Sequence, residues 1–345
     1  MNNNANISLI NQSEIKTGGL FLGIKKGICH LFMTKKAPCK KIKMPKPEGS
    51  IPLSIIICTT GRCSVLLDSV SAALNQNINR ADFEVIVVLN GEENIDESLF
   101  PKGIILVRQP ELGLSLARNS GADKAKGKIL LFIDDDAVAS PDLAEKMLKA
   151  FSKDKNAGIV GGQIFLKTPN PRPEIILSGH EGLWSEFKVP FKKYRTVKEQ
   201  YAYPYGACFG IRKCVLSRLG GFPVSYGRCG NNYAGGEETA LCHLVIRNGW
   251  KIGIEPKAFV EHRVEAHRFS REHIKKTIRA GLVTAYKLGE DGYCPKWTEK
   301  FVRGMIDITS QELNILRKSN NTLAEFYKNC QLDAYIEIEK MLKNS

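Results

Sequence analysis

The chain has 345 residues, 43% of them hydrophobic, enough to bury a substantial core in one large α/β domain with extensions or in two smaller domains. A formal net charge of +14 favours anionic partners, but no nucleic-acid-reading element accompanies it, so nucleic acid is set aside as a partner. No run of 18 apolar residues and no signal-like apolar segment at the N-terminus occurs, which argues against a spanning helix and a secretory leader.

Residues 1–49 are expected to form a basic N-terminal arm. Gly18–Phe32 mixes Leu, Phe and Ile with Lys25 and Lys26, and Lys35, Lys36, Lys40, Lys41, Lys43 and Lys46 follow. Such an arm is either a solvated extension or an amphipathic segment resting on an anionic membrane face. The ten cysteines are scattered without C-x-x-C spacing. That speaks against structural zinc and for free thiols in a reducing, cytoplasmic compartment.

The core begins at Pro52. Leu53–Thr59 is a continuous apolar run, as expected of a central parallel strand, and Ser64–Leu74 has helical periodicity. Phe83–Leu89 is a second buried strand ending in the turn pair Asn90-Gly91, and Ile104–Val107 is a short third. Leu114–Ala125 reads as a helix and Lys128–Ile133 as a fourth strand. Strands alternating with helices predict βαβ units and a mostly parallel, Rossmann-like sheet flanked by helices. Downstream, strands are expected at Ala157–Phe165, Gly206–Ile211, Lys251–Ile254 and Ala258–Glu261. Helices are expected at Arg212–Leu219, Glu237–Asn248, 270–288, 297–317 and 321–343. The predicted domains are thus the α/β unit at 50–285 and a helical C-terminal extension at 286–345.

Ligands bind such sheets at the carboxyl ends of the strands. The polar residues there are Thr59, Thr60, Arg62, Asn90 and Asp134-Asp135-Asp136. Three adjacent carboxylates repel one another and resist burial, and a divalent cation with diphosphate oxygens offsets both costs. The competing reading is an acidic turn favouring the N-terminus of the helix that starts near Pro141. The strand-end position favours the metal.

At this point several segments, in order, resemble family 2 glycosyltransferases of the GT-A fold. I-D-D-D at Ile133–Asp136 resembles their D-x-D segment. S-I-I-I-C-T-T-G-R at Ser54–Arg62 and E-V-I-V-V-L-N-G at Glu84–Gly91 resemble their first two strands. G-L-S-L-A-R-N-S-G at Gly113–Gly121 is similar to their helix start, G-G-E-E-T-A-L at Gly235–Leu241 to their acceptor-side motif, and V-E-H-R-V at Val260–Val264 to their C-terminal strand.

The resemblance implies a cytoplasmic enzyme, peripheral at the inner membrane face if the arm binds lipid. It would move a sugar, with inversion, from a nucleoside diphosphate sugar to a hydroxyl of a glycan or lipid-linked acceptor in polysaccharide or glycolipid synthesis. It places Thr59, Thr60, Arg62, Asn90, Arg118 and Asp134 at the donor nucleotide, and Asp136, Asp134 and His262 at Mn²⁺ or Mg²⁺. Glu238 becomes the catalytic base, with Glu237 as its alternative, because the family usually has Asp at the second position. Without the resemblance, Glu237-Glu238 is a helix-opening acid pair and His262 a packed histidine, while Arg118 is either a surface helix charge or an arginine near the diphosphate or the Asp cluster. His267, Arg268 and Arg271 lie where they are able to meet phosphate, and His243 is read as structural. Trp184, Tyr203, Tyr205, Phe209 and Trp250 offer either sugar-stacking faces or core packing. A nucleotidyltransferase and a non-catalytic sugar-nucleotide-binding homologue are the alternatives.

Overall fold

The computed structural model describes residues 44–46, 49–61, 63–91, 95–198, 202–230 and 232–344. Most of the basic arm, and Arg62, lie outside the described residues. Strand β1 (Ile51–Thr59) runs parallel to both neighbours, β2 (Phe83–Asn90) and β4 (Gly127–Asp134), with Ile55 opposite Val85 on one side and Leu131 on the other. Leu53, Ile55, Ile56 and Ile57 have no exposed surface. A strand covered on both faces has no solvent side, which is why its sequence is apolar without alternation.

β3 (Ile104–Gln109) extends this parallel unit beyond β2. On the other side the sheet continues through β8 (Phe209–Arg212), β6 (Ala157–Lys167), β9 (Lys251–Arg263) and β5 (Ala137–Ala139), giving the order β3-β2-β1-β4-β8-β6-β9-β5. β7 (Arg195–Val197) also pairs with β9. β8 is antiparallel to both β4 and β6, while β6 and β9 are parallel. The result is one mixed sheet with a parallel half of four strands.

Two expectations are refined here. Lys251–Ile254 and Ala258–Glu261 belong to one bent strand, β9, whose register against β6 shifts between Gly161 and Gln163. Pro256 sits in that irregularity, where its missing N–H costs no ladder bond, and its carbonyl accepts from Gln163 Nε2 at 2.7 Å. Gly206–Cys208, expected within a strand, forms a 3₁₀ turn leading into β8.

Helices α1 (Leu66–Leu74), α2 (Leu114–Lys124) and α3 (Leu143–Lys153) cover the sheet. Gly121 lets α2 seat closely, since a Cβ there would stand 2.6 Å from Ile56 Cγ2. α4 (Lys213–Leu219) and α5 (Glu237–Arg247) follow β8. Three long helices, α6 (Arg271–Glu290), α7 (Glu299–Lys318) and α8 (Thr322–Lys343), close the chain. They build a second core around Tyr327, Tyr335 and Ile338 that also takes in Trp184, Ile176 and Val264. α6 runs through residue 285, so the helical layer and the sheet unit share an element. Among the described residues no helix is long and apolar enough to cross a membrane.

Candidate active site

The carboxyl ends of β1, β2 and β4 present Thr59-Thr60, Asn90 and Asp134 to one cavity of about 1290 Å³. After Asp134 the chain turns and forms β5, which pairs antiparallel with β9, Ala137 opposite His262. That register brings His262 beside Asp136, with His262 Nε2 2.8 Å from Asp136 Oδ1. His262 Nδ1 donates to the Trp184 carbonyl at 2.8 Å. A ring whose Nδ1 is committed in this way turns Nε2 toward the carboxylates, the orientation a metal-ligating imidazole needs. Ligand atoms of Asp134, Asp136 and His262 all lie within 4.8 Å of one another. Two carboxylate oxygens and an imidazole nitrogen are a donor set able to hold a divalent cation.

Arg268 Nη1 donates to the other Asp136 oxygen at 3.0 Å, and Trp184 Nε1 holds the Arg268 carbonyl at 2.9 Å. Burial disfavours charge on Asp136, but His262, Arg268 and Arg228 outweigh it and keep the carboxyl below its usual range. Asp134 moves the other way, raised chiefly by burial. Asp135 lines the same cavity but stays outside this trio. Its Oδ2 accepts from Thr59 Oγ1 at 2.6 Å and its carbonyl from Ser69 Oγ at 2.9 Å, and burial first, then Asp136, push it up to about 7. Its contacts shape the turn.

Arg118, 2% exposed, connects the two halves of the site. Its Nη1 lies 2.6 Å from Glu237 and 2.9 Å from Glu238, and its Nη2 lies 3.2 Å from Asp134. Burial opposes its charge, yet Glu238, Glu237 and Asp134 more than offset that, so the guanidinium is held charged beyond its ordinary range. Glu237 and Glu238 open α5 after Gly236, whose φ of 101° is left-handed. Glu237 is 2% exposed, its Oε2 has no hydrogen-bond partner, and burial first, then Glu238, push it up to about 8. The Glu238 side chain is 16% exposed and lines the cavity. Glu237 is therefore protonated at neutral pH; both side chains line the cavity, and Glu238 is the more exposed of the two.

Gly206 lies against this cluster. A Cβ there would stand 2.1 Å from both Arg118 Nη2 and Glu238 Oε1. Arg118 is buried and tied on three sides, so it cannot swing away. Gly206→Ala is expected to destabilise the fold by about 1–3 kcal/mol, the usual cost of overpacking, and to lower activity with it. A melting temperature equal to that of the wild type would refute this.

The remaining expected residues divide. Thr59, Thr60 and Asn90 line the cavity. The Asn90 amide is already engaged, its Nδ2 donating to the carbonyls of Gln109 and Glu111 and its Oδ1 accepting from Gly113 N, so it retains acceptor capacity only. Arg268 joins the site; His267 is exposed beside Glu265, and Arg271 stacks over Phe326. Tyr203 and Tyr205 line the cavity, whereas Trp184, Phe209 and Trp250 are buried and absent from its lining. His243, read as structural, packs against Tyr203 and lines the cavity, with a buried Nε2 lacking a hydrogen-bond partner. Arg228 also lines the cavity, and no periodicity or motif marks it in the loop between α4 and α5.

Residues 54–220 match the model of Glycosyl transferase family 2. A glucosyl-dolichyl phosphate glucuronosyltransferase of Haloferax volcanii is 24% identical over 224 residues, which are 63% of this chain and 70% of that one. The succinoglycan biosynthesis protein ExoM of Rhizobium meliloti is 26% identical over 256 residues, 72% of this chain and 78% of its own. The solved structure of S. aureus TarS 1–349 aligns with a TM-score of 0.45 at 13% identity, covering 85% of this chain and 92% of that one. The matched family stretch contains Thr59, Asn90, Arg118 and Asp134–Asp136 and stops before Glu237, Glu238 and His262. Residues 54–220 thus carry a stretch that matches glycosyl transferase family 2, and the chain is a glycosyltransferase.

Proposed function

We propose that this glycosyltransferase moves a sugar from a nucleoside diphosphate sugar to a hydroxyl of a glycan or lipid-linked acceptor, with inversion, in polysaccharide or glycolipid synthesis. One observation carries the reading. A candidate metal cluster, Asp134, Asp136 and His262, and a carboxylate in touch with the cavity, Glu238, face the same space and are joined through Arg118. The names of the two relatives above, a dolichyl phosphate glycosyltransferase and a polysaccharide biosynthesis protein, support the acceptor class. The net charge of +14 suits an anionic, lipid-rich cytoplasmic membrane face.

Asp134, Asp136 and His262 are the residues that hold the divalent cation. When bound, it supplies Lewis-acid neutralisation of the diphosphate charge as that group leaves. Arg228 and Arg268 place further positive charge on the same side. Glu238 accepts the proton of the acceptor hydroxyl while its oxygen bonds to the anomeric carbon and the carbon–phosphate-oxygen bond breaks. Attack from the face opposite the leaving group inverts the anomeric centre. Arg118 orients Glu238 through its Nη1, and Glu237 stays neutral beside it.

A thermal-shift screen of nucleoside diphosphate sugars with and without Mn²⁺ tests the reading. At least one donor should raise the melting temperature, with most of the rise requiring Mn²⁺, by mass action on the folded state. In Asp136→Asn the Mn²⁺-dependent part should vanish while far-UV circular dichroism stays that of the wild type. The absence of a shift with every donor would overturn the proposal.

A further inference from the structure

The cavity is larger than one small ligand requires. Sites for small molecules typically measure about 300–1,000 Å³, and this one measures about 1290 Å³. The excess lies away from the strand ends, where the wall changes character. Leu183, Ile278, Leu282, Ala285, Leu288 and Trp297 line it there, five of them from α6 and the segment that follows. None of these six falls in the donor-side elements. Five lie beyond the family match, so this wall is a feature of the chain's own C-terminal helices.

The apolar lobe opens onto the acceptor side of the site. A Cβ on Gly236 would stand 2.7 Å from Thr284 Cγ2 and 3.2 Å from Leu288 Cδ1, so α6 abuts the residue directly before Glu237-Glu238. Two polar atoms without hydrogen-bond partners, His243 Nε2 and Thr277 Oγ1, belong to residues that line the same cavity. Polar atoms of that kind fit hydroxyl groups, and the surrounding apolar wall fits hydrocarbon. Gly281, on the same helix, lines the cavity, and a Cβ there meets nothing within 4 Å.

We propose that the lobe built by α6 and Trp297 holds the hydrocarbon chain of a glycolipid acceptor, with its sugar toward Glu238. The proposal deepens the transferase reading above and rests on it for the placement of the acceptor. The hydrocarbon is chosen over a longer glycan because the lobe has an apolar lining, while the polar atoms without partners are few.

The test uses the full chain and three probes below their micelle concentrations: methyl, butyl and octyl β-glucopyranoside, with binding followed by calorimetry. Burying methylene groups strengthens binding several-fold per group, so the octyl compound should bind at least about 30-fold more tightly than the methyl compound. Gly281→Leu places a side chain in open space on a helix, where Leu is favoured over Gly, so the fold should be retained. In that variant the octyl preference should drop at least about fivefold, with the Mn²⁺-dependent donor shift unchanged. Equal binding of methyl and octyl probes, or an octyl preference indifferent to Gly281→Leu, would overturn the proposal. Loss of every donor shift together with a Gly281-sensitive octyl preference would instead overturn the transferase reading and support the lobe.

Discussion

Glu238→Gln is expected to slow glycosyl transfer by a factor of about 100 to 10,000, the range that general-base catalysis supplies, while Mn²⁺-dependent donor binding persists. The amide preserves the shape and the contact with Arg118 Nη1 but cannot accept a proton. Glu237→Gln should behave differently. Glu237 sits at about 8, raised by burial and by Glu238, so at neutral pH it already carries a proton that an amide imitates. Its loss of activity should stay below about tenfold, less than a general base contributes. A larger loss in Glu237→Gln than in Glu238→Gln would reverse the assignment of the base.

The same pair predicts a pH signature. Because the folded-state value of Glu237 is raised, its proton favours the fold at low pH, and that contribution fades as pH rises from 4.5 through about 8. Glu237→Gln, neutral throughout, should flatten this part of the stability profile. A profile unchanged by the substitution would place the proton elsewhere.

The strand-end part of the cavity was legible because its signals are local. An unbroken apolar run predicts a strand covered on both faces, and β1, β2 and β4 are such strands. Polar residues just past their ends must then gather at one sheet edge, so Thr59, Asn90 and Asp134 needed no long-range information. His262 and Glu238 were reachable only through resemblance, because the pairings that place them span long stretches of chain. The β5–β9 register sets His262 beside Asp136, and Arg118 ties Glu238 to Asp134 across 120 residues of sequence. Arg228 carried no signal because its loop has no period. For Trp184 the sequence left a sugar face and core packing open, and the side chain packs in the second core, where the residue's carbonyl and indole N–H brace His262 and Arg268. The apolar lobe was hidden for a further reason. α6 shows ordinary amphipathic spacing, and a stripe facing a cavity looks the same in sequence as a stripe facing a core.

Arg118→Met is expected to cost stability as well as activity, which separates this residue from a charge on a helix surface. The arginine is the cation shared by Glu237, Glu238 and Asp134, and the first of these is as buried as Arg118 itself. Removing one member of a buried ionic cluster leaves the others uncompensated, which typically costs about 3–5 kcal/mol. For a chain of this size the melting temperature should fall by roughly 6–10 °C. Arg118→Lys should recover only part of this, because an ammonium is a point donor and cannot span three carboxylates as the guanidinium fork does. The decisive variant is the double substitution Arg118→Met with Glu238→Gln. If the cost of losing Arg118 is the stranded charge, removing the Glu238 carboxylate must return some of it, and the double variant will be more stable than the sum of the single effects predicts. Strict additivity would mean that Arg118 contributes through packing against Phe222, whose ring centroid lies 5.4 Å from its guanidinium carbon, and not through the carboxylates. Activity would not return in the double variant under either outcome, because Glu238, the proposed base, is itself replaced.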